Sequence, residues 1–349
     1  MIKWILGIVL VLLILGVILV IAMQASTSWK TAESIRTPDE RFANLPDYPF
    51  QPNYAEIEGY RIHYVDEGPR DGQTILLMHG QPSWSYLYRH MIPPLVEAGY
   101  RVIAPDLVGF GKSDKPLKQS DHSYQMHVDL MTAFAREIGL EDATLFAQDW
   151  GGLIGLRMVA EDPDRYARIM ISNTGLPAAS GVRGWIGYPM VRFLAWRAGK
   201  PDSVVGEDGK FSFPRWIAFA RHSENFTLET VFQGGTSRTL SDAELAGYAA
   251  PFPDESYRAA TRIFPMMVPS QLRQNQKVMD EVFAKWDKPF LTAFSDSDPV
   301  TAGGDTVWQN TVPGAVSQPH TVIKGGAHFI QEDNPEELVE HLLGFIAAN

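Results

Sequence analysis

Three residues define the chemistry open to this chain: Asp149, Asp298 and His328. Asp149 is the centre of Gln148-Asp149-Trp150-Gly151-Gly152. An apolar run at 143–147 precedes it and reads as a buried strand, and residues 153–160 read as a helix. A strand, a tight turn bordered by small residues and a helix make a nucleophile elbow. A serine there would transfer acyl groups. An aspartate is ionised near neutrality and needs no base to attack carbon, so it points to displacement at a saturated carbon and an alkyl ester on the enzyme. Asp298 lies in Ser295-Asp296-Ser297-Asp298-Pro299, beyond the strand-like run at 289–295. Asp296 is its rival, but the Asp-Pro pair favours Asp298 at the turn out of the strand. His328, in Gly325-Gly326-Ala327-His328-Phe329, follows the short run at 321–323. It would take a proton from the water that cleaves the ester. Asp298 would fix the imidazole tautomer and stabilise the imidazolium. Alone, an aspartate in a turn is a cap and a histidine after two glycines is a packing residue. Together they stand in the order nucleophile, acid, histidine, each beyond the end of a strand.

Two neighbours fit the same chemistry. The backbone N–H of Trp150 can serve an oxyanion hole, and its indole N–H is a donor suited to a departing anion. Plain aromatic packing is the other reading of that ring. A second oxyanion donor would come from His79-Gly80-Gln81-Pro82, after the apolar run at 74–78, with the N–H of Gln81 as the candidate. The Gln81 side-chain amide is placed to line the same pocket.

These residues need a scaffold that presents strand ends together. Strand-like runs at 58–67, 74–78, 102–105, 143–147, 168–172, 289–295 and 321–323 alternate with helical stretches at 85–98, 124–138, 153–160 and 336–347. The stretch at 85–98 is interrupted by Pro93-Pro94. This alternation predicts an α/β fold, a mostly parallel sheet with helices on both faces. The rhythm fails between 177 and 262, where Trp, Phe, Pro and Gly are frequent. That length is too great for a loop and predicts a helical cap inserted after the sixth core strand. The expected organisation is an approach segment at 24–53, a core at 54–176 and 263–349, and the cap at 177–262.

The 349 residues carry a net charge of −11, which argues against a nucleic-acid partner, and no cysteine, which excludes disulfides and thiolate catalysis. Residues 4–23 are uncharged and rich in Leu, Ile and Val. Such a run matches a bilayer core and predicts an N-terminal transmembrane anchor over 1–23. A cleaved signal peptide is the rival, but this run is longer than usual and Met23-Gln24-Ala25 is a poor cleavage site. Lys3 before the run favours a cytoplasmic N-terminus and an outward-facing domain, a bias weakened by Lys30, Arg36 and Arg41 after it.

From residue 36 onward the sequence resembles the haloalkane dehalogenases, in particular the subfamily whose acid follows the seventh strand. The motifs that carry the resemblance are RTPDERF (36–42), HGQPSWSYLYR (79–89), VIAPDLVGFGKSDKP (102–116), QDWGG (148–152), YAAPFPDESY (248–257) and GGAHFIQE (325–332). The resemblance implies an eight-stranded α/β-hydrolase core, with Asp149 as nucleophile, Asp298 as acid and His328 as base. It implies no cofactor and no metal; the partners are a small halogenated substrate and water. Asn173 stands where a sister subfamily places its acid, and an amide cannot be the anionic partner. Trp150 corresponds to one halide-binding tryptophan. The family's second lies in the cap, where Trp216 fits best and Trp185 and Trp196 compete. Gln81 departs from the Glu or Asn usual after the His-Gly pair. An epoxide hydrolase would share Asp149 but needs acids on the cap, where Tyr188, Tyr248 and Tyr257 stand. A hydrolase fold kept as a tethered binding module without turnover is the reading from another class.

Overall fold

The computed structural model describes residues 32–349. Its strands are β1 (Ser34–Ile35), β2 (Asn53–Ile57), β3 (Tyr60–Glu67), β4 (Thr74–Met78), β5 (Arg101–Pro105), β6 (Lys115–Pro116), β7 (Ala143–Gln148), β8 (Tyr166–Ser172), β9 (Phe290–Ser295) and β10 (Thr321–Ile323). The helices of the first half are α1 (Ile92–Glu97), α2 (Tyr124–Glu137) and α3 (Trp150–Glu161). Between β8 and β9 run α4 (Gly181–Ala198), α5 (Phe213–His222), α6 (Leu228–Gly235), α7 (Asp242–Ala249), α8 (Ala259–Met267) and α9 (Leu272–Glu281). The chain closes with α10 (Asp305–Thr311), α11 (Ile330–Asp333) and α12 (Pro335–Ala348).

Eight strands form one sheet in the order β10-β9-β8-β7-β4-β5-β3-β2. From β5 through β4, β7, β8 and β9 to β10 every pairing is parallel, and β3 pairs antiparallel with both β5 and β2. Every residue of β4, β7 and β9 is buried. That is why these segments read as unbroken apolar runs rather than alternating ones. On this sheet α3 packs against β4, β7 and α2, α2 packs against β2, and α12 packs against α1 and β9. Consecutive parallel strands therefore end on the same edge, and the turns after β4, β7, β8, β9 and β10 gather there.

Several local expectations shift. The helix expected over 85–98 divides into a 3-10 turn at Ser85–Tyr88 and the short α1. Pro93 and Pro94 sit in the first turn of α1, where a missing N–H costs nothing, so they start the helix rather than interrupt it. The approach segment carries structure of its own: β1 pairs with β6, Arg36 pairs with Asp114 at 2.6 Å, and the Thr37 hydroxyl donates to the Pro251 carbonyl at 2.6 Å. Position 262, the expected end of the helical insertion, falls inside α8. On its outer face α4 exposes Trp185, Met190, Phe193 and Trp196, which left the residues of this helix without a sequence period pointing inward.

The expected anchor at 1–23 lies outside the described residues. Among the described residues no helix is long and apolar enough to cross a membrane. Nothing in the described residues supports the reading of a single-pass, membrane-anchored protein with an outward-facing domain, and it is withdrawn.

Candidate active site

Asp149 occupies the turn between β7 and α3 with φ 49° and ψ −127°, a left-handed conformation that costs a non-glycine residue free energy. The turn closes only because its surroundings are small. A Cβ on Gly80 would lie 2.3 Å from the Asp149 carboxylate, and one on Gly151 would lie 1.9 Å from the Met78 carbonyl oxygen. These glycines let the β4 turn, the elbow and the first turn of α3 approach one another. The Thr174 hydroxyl donates to the Asp149 carbonyl at 2.6 Å and the Asp149 N–H donates to the Asn173 carbonyl at 3.1 Å, which tie the elbow to the end of β8.

The carboxylate of Asp149 has two different sides. Oδ1 accepts the backbone N–H of Gln81 at 2.7 Å. Oδ2 faces Nε2 of His328 at 3.5 Å. Behind the imidazole, Nδ1 meets Oδ2 of Asp298 at 3.1 Å. Asp298 also accepts the Val300 N–H at 2.9 Å and the Thr301 hydroxyl. Asp296 turns elsewhere: its Oδ1 accepts the Gly325 N–H at 3.0 Å, closing the loop after β10. Of the two aspartates in SDSDP, Asp298 is therefore the one at the imidazole.

Burial acts against a charge on His328, but the facing Asp298 and Asp149 carboxylates outweigh it and push the imidazole up to about 10. Burial likewise raises the Asp298 carboxyl. The neighbouring imidazole and the donors from Thr301 and Val300 more than offset this and bring it below the usual carboxylate range.

The histidine loop is held by two buried amides. Asn173 Nδ2 donates to the carbonyls of Ala327 at 2.8 Å and His328 at 3.1 Å, while its Oδ1 accepts the Ser295 N–H at 2.9 Å. Gln148 Nε2 donates to the His328 carbonyl at 3.0 Å. The role of Gln148 was not foreseen in the sequence, although its place one residue before the nucleophile is the available signal. His79 completes the frame beside Gly80. Its Nε2 accepts the Leu107 N–H at 3.0 Å and its Nδ1 donates to the Gly80 carbonyl at 2.9 Å, which fixes a neutral tautomer.

A cavity of about 340 Å³ opens over these groups. Asp149, Gln81 and His328 line it from below; Trp216, Phe219 and Val231 line it from the helical segment between β8 and β9. Asp202 and Ser203 also line it. Trp216 is thus brought to the cavity and stacks on Phe219 at 6.2 Å. Trp185 and Trp196, its competitors, are exposed at 63% and 76%, on the far side of α4. Trp150 is buried between Tyr124 and Phe264, with centroids 5.1 and 4.7 Å away. It is the first residue of α3, directly after the nucleophile. The Gln81 side chain lies at the cavity wall, yet its amide donates to the Thr261 carbonyl at 2.8 Å instead of turning to a ligand. Among the described residues, one trio could share a metal ion: His90, Glu244 and Glu332, with ligand atoms within 4.8 Å of one another. Both carboxylates are already paired to Arg89 and Arg238, whose charges oppose a cation.

Residues 73–335 match the family model described as alpha/beta hydrolase fold. A haloalkane dehalogenase from Psychrobacter cryohalolentis is 47% identical over 324 residues, covering 90% of this chain and 98% of that protein. Another, from Mycolicibacterium paratuberculosis, is 44% identical and covers 89% of this chain and 97% of its own length. This chain belongs to the haloalkane dehalogenase family. Among solved structures, the tetrameric haloalkane dehalogenase DpaA from Paraglaciecola agarilytica NO2 superposes with a TM-score of 0.74 at 30% identity, covering 89% of this chain and 98% of that one. The match to the Psychrobacter dehalogenase leaves about a tenth of this chain unpaired but only 2% of the relative.

Proposed function

We propose that this haloalkane dehalogenase works through Asp149, His328 and Asp298, with the helices between 177 and 262 acting as the cap over the cavity. The protein is a hydrolase of carbon–halide bonds that converts a haloalkane and water to an alcohol, halide and a proton. The observation that carries the assignment of roles is the asymmetry of the Asp149 carboxylate: Oδ1 on the Gln81 N–H, Oδ2 toward His328 and the cavity. Oδ2 attacks the halogen-bearing carbon, and the carbon–halogen bond breaks with its electron pair leaving on the halide. The ester that forms keeps Oδ1 as its carbonyl oxygen, already under a donor. Water, losing a proton to Nε2 of His328, adds to that carbonyl carbon. The negative charge then develops on Oδ1, where the Gln81 N–H and the N–H of Trp150 are the stabilising donors. Collapse breaks the bond between the carboxyl carbon and Oδ2: the alcohol leaves with Oδ2 and takes the proton of the added hydroxyl, the carboxylate is restored with the water oxygen in place of Oδ2, and the imidazolium returns its proton to solvent. Asp298 holds the imidazole through Nδ1 and stabilises its charged form. Trp216 in the cavity wall and the indole of Trp150 are the proposed halide donors.

Epoxide hydrolysis would use the same nucleophile but needs a cap acid at the cavity. Tyr248 is buried with its hydroxyl on Glu332, and Tyr188 packs against the cluster of Ala195, Ile217 and Met266. Among the described residues no tyrosine lines the cavity. The test is bromide release from 1,2-dibromoethane and 1-bromobutane, with styrene oxide in parallel. The wild type is expected to release bromide and to leave the epoxide intact. His328→Phe is expected to release one bromide per enzyme and retain the alkyl group as a mass adduct. An unmodified His328→Phe protein after exposure would remove the two-step mechanism.

A further inference from the structure

Two contiguous acidic residues after the histidine loop have no part in the chemistry above, yet they tie that loop to the cap. Glu332 is fully buried and gripped by Arg89, Arg238 and the Tyr248 hydroxyl. This seats α11 firmly. Asp333, the last residue of α11, faces the other way and accepts from two segments at once. Its Oδ2 takes the N–H of Ala327, the residue before His328, at 2.8 Å. Its Oδ1 takes the N–H groups of Ser237 at 2.9 Å and Arg238 at 3.1 Å, in the cap turn that follows α6. Two more bonds close the same seam: Phe329 N–H to the Gly235 carbonyl at 2.9 Å, and Arg238 Nε to the Glu332 carbonyl at 2.8 Å. Gly234 and Gly235, at the end of α6, line the cavity.

We propose that Asp333 is a positioning residue for His328, fastening the base to the cap turn so that the seating of the cap sets the hydrolytic step. The proposal rests on the reading of His328 as the base that cleaves the ester. A carboxylate suits this place because its two oxygens can accept three backbone donors, whereas an amide presents one oxygen and turns an N–H toward a donor. Alkylation needs Asp149 and the halide donors, and Asp333 bonds to none of these. Hydrolysis needs His328 Nε2 aligned on a water, and a misplacement of about 1 Å can cost about a hundredfold.

The experiment is steady-state and stopped-flow bromide release from 1,2-dibromoethane by the full chain, comparing wild type, Asp333→Asn and Asp333→Glu. Asp333→Asn is expected to lower kcat by about tenfold or more, from the misalignment above, with kcat/KM unchanged within about twofold. The bromide burst should persist and the alkyl-enzyme should accumulate in intact-mass spectra. Asp333→Glu, which keeps the charge, should recover part of kcat. An equal fall in kcat and kcat/KM with no adduct, or full kcat in Asp333→Asn, would overturn the proposal. If Asp333→Asn does not fold, Arg238→Met opens the same seam from a partly exposed position, removing the bond to the Glu332 carbonyl and the ion pairs with Glu332 and Glu244. The same selective loss of kcat supports the proposal; a lower Tm with unchanged kcat counts against it. No bromide from the wild type would instead undo the assignment of the site itself.

Discussion

Removing the charge on Asp149 should lower the pH at which His328 gives up its proton. In the resting enzyme the imidazole lies between two carboxylates, Asp298 at 3.1 Å and Asp149 at 3.5 Å, and its titration is pushed up to about 10. A base that is protonated at neutral pH cannot accept a proton from water. Esterification of Asp149 weakens the hold on that proton by replacing an anion with a neutral group, and Asp149→Asn mimics the charge change without substrate. A unit pair at 3.5 Å is worth about 4.7 kcal/mol at an effective dielectric near 20 and about 2.4 kcal/mol near 40. Those energies correspond to about 3.5 and 1.7 pH units. One side of the pair borders the cavity, and the Asp149 and His328 side chains are 18% and 12% exposed, so the lower half of that range applies. The His328 midpoint is therefore expected to fall by about 2, to near 8, with Asp298 still holding it above an ordinary histidine. The assay is imidazole NMR across pH 5–11 on wild type and Asp149→Asn, with intact mass excluding reversion of the amide to Asp. A midpoint that stays within about half a unit of the wild-type value would refute the electrostatic coupling. The sign has a kinetic counterpart. Ester hydrolysis should rise as pH climbs through the midpoint of the alkyl-enzyme, while alkylation should be flat there.

Three further outcomes separate the roles of neighbouring residues. Trp216→Phe removes a proposed anion donor worth about 1.5–3 kcal/mol and should weaken halide binding by about tenfold or more, read from bromide inhibition, while Trp185→Phe and Trp196→Phe should leave it unchanged. Gly80→Ala places a methyl group 2.3 Å from the Asp149 carboxylate and should reduce bromide release by about a hundredfold with the far-UV spectrum intact. Gln81→Ala loses the bond to the Thr261 carbonyl but keeps the backbone donor to Asp149, so Tm should fall by about 2 °C with little change in kcat, whereas a large loss of kcat would mean that the amide itself meets the substrate.

The parts of this protein legible in the sequence are those whose cause is local. β4 and β7 are buried on both faces, so their apolar runs are continuous and end at a glycine-bearing turn, and the elbow follows from the same few residues. β10 was legible for another reason: it is short but bounded by turn residues on both sides. Other elements depend on partners far away in the chain. β1 has only two residues, and it exists because Lys115–Pro116 pairs with it and Arg36 reaches Asp114. The boundary between α8 and the core was unreadable because Phe264 belongs to both: it packs against Trp150 at 4.7 Å and against Phe110 at 4.7 Å.

The same distinction governs the active site. Asp149, Asp298 and His328 could be named because each is announced by a turn at a strand end. What aligns them could not be. Asn173, Gln148 and Asp333 hold the histidine loop by donating to its carbonyls or accepting its N–H, and nothing in an isolated Asn, Gln or Asp announces such a bond. Only the chemistry of the reaction gives them a reason. His328 must stay out of the way as an imidazolium while Asp149 attacks, then act as a base once that charge is gone, and it must do so without moving. A ring restrained at Nδ1 by Asp298 and along its backbone by three side chains changes protonation in place. The coupling then lies in the charge of Asp149 rather than in motion of the base, and loss of that charge raises the share of neutral imidazole available to the second step.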